Sequence, residues 1–246
     1  KELSEPYRPG KLREMSFANV ISMVKEYRSL YGFYSDDLVG DYKRTIERLQ
    51  KEQREVIEQQ FSSFGNVLYS ELHDFLNHGH EWIAAYDESL ASVHGLDFTD
   101  LICGVHRLFQ DPVVRERWRS RYSYISVDEM QDTGVLEYKV LEMLWEGNHV
   151  LLCGDYFQTI YEWRGSDPFR LLKQFDADFK PLKIIFYENY RSNWTLFTMA
   201  FKTLQNMFPD LVGSIYTELP RANSESKGKP VLIKGCKNSY LEGRYI

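Results

Sequence analysis

Residues Tyr124 to Thr133 read Tyr-Ile-Ser-Val-Asp-Glu-Met-Gln-Asp-Thr, a short β-branched and aromatic run that ends abruptly on two adjacent carboxylates. A continuous apolar run of this kind reads as a buried strand of a parallel sheet. In open α/β sheets ligands sit beyond the carboxyl ends of the strands, which puts Asp128 and Glu129 at a crevice. Two carboxylates there can divide the handling of a Mg2+-nucleotide. One holds the metal directly or through its waters, and the other orients and deprotonates the water that attacks the γ-phosphate. Asp128 is assigned to the metal and Glu129 to the water. For an isolated pair the plainer reading, a strand end that caps the next helix, would be preferred.

The pair is not isolated. A second apolar run, Val150-Leu151-Leu152-Cys153, ends in Gly154-Asp155 and continues Tyr-Phe-Gln-Thr-Ile-Tyr-Glu-Trp-Arg-Gly to Ser166. A third, Ile184-Ile185-Phe186-Tyr187, leads into Glu188-Asn189-Tyr190-Arg191-Ser192. In order and spacing these segments resemble the signatures of the superfamily 1 DNA helicases of the UvrD, Rep and PcrA type: D-E-x-Q-D-T, then G-D-x-x-Q-x-I-Y-x-W-R-G, then Q-N-Y-R-S. The middle motif is the most specific, because Gly154, Asp155, Gln158, Ile160, Tyr161, Trp163, Arg164 and Gly165 match it together. Asp97-Phe98-Thr99-Asp100-Leu101 is similar to the family's D-F-x-D-L segment, and the resemblance runs from about Leu96 to the C-terminus.

The resemblance implies roles position by position. Gln158 would contact the γ-phosphate or its attacking water, and Arg191 would reach the same phosphate from a second motor domain as an arginine finger supplied in cis. A guanidinium suits that task because it is always charged and its fork of donors matches phosphoryl oxygens. Tyr190 would stack on the adenine ring. Trp163 would lie under bases of single-stranded DNA, where stacking contributes roughly 1–3 kcal/mol per base and is indifferent to sequence. Tyr161 and Arg164 would belong to the same DNA-facing set, with Arg164 coupling the DNA-bound ring to Gln158. The implied cofactors are ATP and Mg2+. The implied partners are single-stranded DNA or a junction of single and double strands, together with repair or recombination proteins, and the implied movement is 3′ to 5′. Glu188 stands where the family commonly has Gln, and Met130 replaces the commoner Phe. Neither change is expected to touch a catalytic atom.

The expected fold class is α/β: a partial RecA-like (P-loop NTPase) parallel sheet with helices, plus a mostly α-helical insertion subdomain. By the resemblance, residues 1–96 would be the helical insertion, 97–186 the remainder of the first RecA-like motor domain, and 187–246 the start of the second. In the first region residues 41–61 carry Ile46, Leu49, Val56, Ile57 and Phe61 at roughly helical spacing, with Glu47 and Lys51, and Arg54 and Glu58, placed for i,i+4 pairs. Further helices are expected over 97–109, 134–145, from Pro168 onward, and over 194–207. A loop is expected from Pro220 to Pro230, followed by a strand over 231–234.

No G-x-x-x-x-G-K-[ST] string occurs: Gly10-Lys11 is followed by Leu12, and Gly228-Lys229 by Pro230. Without that phosphate cradle the sequence reads as an internal piece of a longer enzyme, expected alone to hydrolyse ATP poorly or not at all. A net charge of −6 excludes a generally basic nucleic-acid coat, so DNA contact must be local. The 3 cysteines, Cys103, Cys153 and Cys236, lack C-x-x-C spacing, which argues against a disulfide framework and a zinc site. No stretch is long and apolar enough to span a membrane, and a cytoplasmic location is expected. His73, His78 and His80 read as surface or turn residues. Three alternatives stay open: a metal-dependent nuclease, a non-catalytic DNA- or protein-binding module that keeps the motor fold, and a piece of a helicase–nuclease fusion.

Overall fold

The computed structural model describes residues 11–63, 66–159, 168–223 and 228–229. The chain divides into two compact units, Lys1–Phe179 and Lys180–Ile246. The first unit opens with helices α1 (Lys11–Tyr31), α2 (Leu38–Glu52) and α3 (Arg54–Gln60), a two-residue antiparallel ladder of β1 (Ser62–Ser63) with β2 (Asn66–Val67), and the long helix α4 (Tyr69–Ser92). Asp37 starts α2 by accepting the Gly40 N–H at 2.9 Å, a side-chain cap for an otherwise orphaned donor. Tyr42, Ile46 and Leu49 recur at helical spacing and are at most 2% exposed, packed with Val24 of α1 and Phe75 and Ile83 of α4. Each such side chain contributes roughly 1.5–3 kcal/mol by leaving water.

The helix expected over 41–61 is broken at Gln53, whose φ of −139° leaves the helical region. No glycine or proline lies there, so packing rather than propensity sets the break. Ile57, 1% exposed on the short α3, joins the same core as Leu49. Arg54 pairs with Glu58 at 2.7 Å, and Arg48 with Glu52 at 3.0 Å. Glu47 and Lys51 form no ion pair among the described residues.

One buried cation ties this helical array to the next helix, α5 (Phe98–Leu108). The Lys25 ammonium on α1 lies 3.0 Å from Asp87 on α4, and 2.8 and 2.6 Å from Asp97 and Asp100 at the start of α5. Its side chain is 3% exposed. Burial alone would lower the lysine pKa, but the hydrogen bonds that the ammonium donates to Asp100, Asp97 and Asp87 outweigh it and hold it charged above its usual range. Tyr42 and Tyr86 donate to Asp87 and Asp97. Asp97 and Asp100 also close a capping box on α5, exchanging bonds of 2.8 and 3.1 Å with each other's backbone N–H. The Asp-Phe-Thr-Asp-Leu segment is therefore the seat of Lys25.

After α5 come α6 (Pro112–Arg119), β3 (Tyr124–Val127), a 3-10 turn at Met130–Asp132, α7 (Val135–Trp145), β4 (His149–Leu152), a second 3-10 turn at Tyr156–Gln158, and α8 (Pro168–Phe179). Strands β3 and β4 pair in parallel, with Tyr124 opposite His149 and Val127 opposite Leu152. Ile125, Val127, Val150 and Leu152 face a core of Met130, Tyr138, Trp145, Leu171 and Phe175. The opposite face is open, with Tyr124 75% and Leu151 56% exposed. The expectation of a buried strand is corrected here: among the described residues, helices cover one face only, and Tyr124 and Ser126 on the other are exposed.

The second unit contains β5 (Glu188–Asn189) paired in parallel with β6 (Arg221–Ala222), and helices α9 (Trp194–Met207) and α10 (Pro209–Ile215). The third apolar run forms no strand, and pairing begins just after it at Glu188. β6 lies inside the span expected to be loop, and the strand expected over 231–234 lies outside the described residues. Together the described residues are mostly helical with small parallel sheets. No helix among them is long and apolar enough to cross a membrane.

Lys25→Met should destabilise the first unit by about 3–5 kcal/mol, because it leaves partly buried carboxylates without their cation. Urea unfolding reads this directly. Adding Asp97→Asn should recover part of the loss, and no recovery would show that the two side chains are not energetically paired.

Candidate active site

The β3–β4 ladder does not stop at the strand ends. Cys153 N–H donates to Val127 C=O at 2.8 Å, and Met130 N–H donates to Cys153 C=O at 2.9 Å. Between those two bonds the chain must turn within Asp128-Glu129. Glu129 absorbs the turn in the left-handed region, at φ 50° and ψ 42°, a conformation that costs a non-glycine residue about 1–3 kcal/mol and recurs at functional sites. Asp128 Oδ1 accepts the Glu129 N–H at 2.9 Å. Both carboxylates are exposed at the carboxyl edge of β3, where the sequence places them.

Gln131 joins the two motif loops. Its carboxamide is almost fully buried, 2% exposed. Nε2 donates to Glu129 Oε2 at 2.6 Å, and Oε1 accepts the Asp155 N–H at 3.0 Å. The amide has only one workable orientation, because an ionised carboxylate solely accepts and a backbone N–H solely donates. Gly154 gives it room: a Cβ there would stand 2.7 Å from Gln131 Oε1 and 3.3 Å from the backbone nitrogens of Gln131 and Met130. Asp155 in turn caps the second 3-10 turn by accepting Phe157 N–H at 3.0 Å, and its other oxygen takes Gln158 Nε2 at 2.8 Å. Glu129, Gln131, Asp155 and Gln158 thus form one hydrogen-bonded chain.

Of the residues expected to act together, the structure brings Asp128, Glu129 and Gln158 to adjacent strand ends. Sequence reading passed over Gln131 and Asp155 as functional positions. The available signal was that both are fixed letters of the motifs D-E-x-Q-D-T and G-D-x-x-Q. Tyr161, Trp163, Arg164 and Gly165 lie outside the described residues.

Asp128 fits a Mg2+ held largely by phosphates and water. One of its oxygens is taken by a backbone N–H and the exposed carboxylate keeps the other available. Among the described residues no group of three or more His, Cys, Asp or Glu could hold a metal ion.

In the second unit Asn189 Oδ1 accepts the backbone N–H groups of Arg191 at 3.1 Å and Ser192 at 2.8 Å, a tight Asx turn that leaves Arg191 exposed. Among the described residues no carboxylate pairs with its guanidinium. Tyr190 is 76% exposed and donates its hydroxyl to Glu188 Oε2 at 2.7 Å. Glu188 also accepts from Arg221 at 2.9 Å and Asn223 at 3.0 Å. The residue that departs from the family's Gln therefore does touch the tyrosine assigned to adenine. Tyr190, Arg221 and Asn223, in that order, hold the Glu188 carboxyl down to about 2.

Because that pKa lies below the ordinary value of 4.5, the contribution of Glu188 is complete above about pH 4.5 and is lost as the pH falls towards 2. A side-chain carbon NMR titration should give Glu188 a midpoint near 2. A midpoint at the ordinary glutamate value would show that the three donors do not converge on it.

The family model of the UvrD/REP helicase N-terminal domain matches residues 9–180. The chain is 32% identical over 163 residues to a probable DNA helicase II homolog of Mycoplasma capricolum, covering 65% of this chain and 22% of that protein. It is 32% identical over 171 residues to DNA helicase II of Haemophilus influenzae, covering 68% of this chain and 23% of that protein. It is 37% identical over 146 residues to the ATP-dependent DNA helicase Rep of Buchnera aphidicola, covering 58% and 22%. The chain thus spans less than a quarter of the length of these relatives. Since the family model takes in most of its residues, including the carboxylate turn and the Gly154-Asp155 loop, the chain belongs to the UvrD/Rep helicase family.

Proposed function

We propose that this chain is part of an ATP-dependent DNA helicase or translocase that couples ATP hydrolysis to movement on single-stranded DNA, 3′ to 5′, in the cytoplasm. The observation that carries the reading is the hydrogen-bonded chain from Glu129 through Gln131 and Asp155 to Gln158. It joins a carboxylate suited to activating water to an amide suited to reading the γ-phosphate. In this reading residues 1–96 are the helical insertion, 97–186 the remainder of a RecA-like motor domain and 187–246 the start of a second.

Each residue then has a task its chemistry suits. Glu129 takes a proton from the attacking water, its carboxylate oriented by the Gln131 amide. Asp128 presents its available oxygen to Mg2+ or to the waters around it, and Mg2+ when bound supplies charge neutralisation at the β- and γ-phosphates. Gln158, the exposed residue of the second 3-10 turn, hydrogen-bonds the γ-phosphate or its water. Arg191 contributes an exposed guanidinium that no carboxylate among the described residues occupies, and Tyr190 an exposed ring for the adenine. Trp163, with Tyr161 and Arg164, meets single-stranded DNA by stacking and charge. Positioning and charge neutralisation supply nearly all the catalysis in phosphoryl transfer. The 246-residue chain alone, which has no G-x-x-x-x-G-K-[ST] cradle, is accordingly proposed to be inactive.

In the full-length protein Glu129→Gln should preserve ATP binding while lowering turnover by at least about a hundredfold, the scale of losing a general base. Turnover near wild type would remove Glu129 from that role. Trp163→Ala should weaken single-strand affinity and uncouple hydrolysis from movement, and unaltered DNA stimulation in a steady-state ATPase assay would contradict the stacking assignment.

A further inference from the structure

We infer that Gln131 is a positioning residue that sets the Glu129 carboxylate and the Gln158 loop in a fixed mutual geometry, so that base and phosphate reader move as one piece. The inference rests on the proposed hydrolytic role of Glu129. Its support is geometric. The Gln131 carboxamide is buried and makes one bond to a side chain on its own loop and the other, across the motif boundary, to the backbone of the neighbouring loop. Glu129 has an exposed carboxylate on a left-handed residue, and the Gln131 amide is a short, 2.6 Å tether on that side chain. At the other end, the Asp155 N–H that Gln131 accepts belongs to the residue whose carboxylate holds Gln158. A displacement of the Gln158 amide by a phosphate oxygen would pass through Asp155 and Gln131 to the base.

Gly154 gives an independent handle on the same contact. A methyl group there meets the far end of the Gln131 side chain at 2.7 Å, closer than a carbon and an oxygen can sit, while residue 131 itself stays unchanged. Gly154→Ala should therefore push the carboxamide off one or both of its partners. Two variants on two loops with one shared consequence separate positioning from general damage to the fold.

The test uses the full-length protein with ATP and single-stranded DNA. Gln131→Met, close in volume but unable to bridge, should lower single-turnover hydrolysis roughly tenfold to a hundredfold, the scale of a small misplacement of a catalytic group. The KM for ATP should stay within about twofold. Gly154→Ala should reproduce both results. In a Glu129→Gln background, Gln131→Met should add less than about a further twofold, because it acts through that carboxylate. Hydrogen–deuterium exchange in peptides spanning Asp155 should quicken in both Gln131→Met and Gly154→Ala, with or without nucleotide. If Glu129→Gln abolishes turnover while Gln131→Met leaves it intact, or if the two losses simply multiply, the positioning role is overturned and the base assignment stands. If Glu129→Gln itself keeps turnover, both fall together.

Discussion

The parallel pairing of β3 with β4, carried past Val127 and Leu152 by two further bonds through Cys153, is the constraint on which the candidate site depends. Once Cys153 N–H and C=O are committed to Val127 and Met130, only Asp128 and Glu129 remain to make the turn. The left-handed conformation of Glu129 results from that geometry. So does the need for glycine at 154, where the neighbouring strand end passes too close to Gln131 for a side chain. Two motifs separated by about two dozen residues in the sequence thus act as one backbone object, and their side chains inherit its precision.

Lys25 plays the corresponding part for the helices. An ammonium withdrawn from water needs its full set of partners, and a cluster of carboxylates needs a cation. Here each demand answers the other, across α1, α4 and the N-terminus of α5. The contact reaches 72 residues along the chain between Lys25 and Asp97. Tyr86 adds its hydroxyl to Asp97 and its ring to the ammonium, at 5.4 Å from the centroid. The acidic pair of the Asp-Phe-Thr-Asp-Leu segment is accounted for by this structural role.

Local periodicities and motifs were the legible part of the sequence. α9 spans Trp194–Met207 as expected, because its apolar spacing and the Asn193 cap, which accepts Leu196 N–H at 3.0 Å, are both local signals. The strand ending at Val127 was legible from its β-branched run, and the exposure of Asp128 and Glu129 from where that run stops. The break at Gln53 was not legible, because nothing in Gln-Lys-Glu-Gln-Arg opposes a helix and only tertiary packing requires the bend. Lys25 gave no signal either: a lysine on a helix reads as solvated until its distant partners are known. Gln131 was hidden for a similar reason, since its bonds depend on how closely β4 tracks β3.

Glu188 shows how a departure from a motif can be absorbed locally. Three donors converge on this side chain, from Tyr190, Arg221 and Asn223. A carboxylate offers two oxygens with room for all three, and its charge suits the Arg221 guanidinium. A glutamine would present a single acceptor oxygen and turn an NH2 group towards donors that need acceptors. The glutamate is therefore matched to Arg221 and Asn223 on and just beyond β6, the strand that pairs with its own. In this chain the orientation of Tyr190 depends on that match, so the identity of residue 188 and the presentation of the exposed ring are one physical problem.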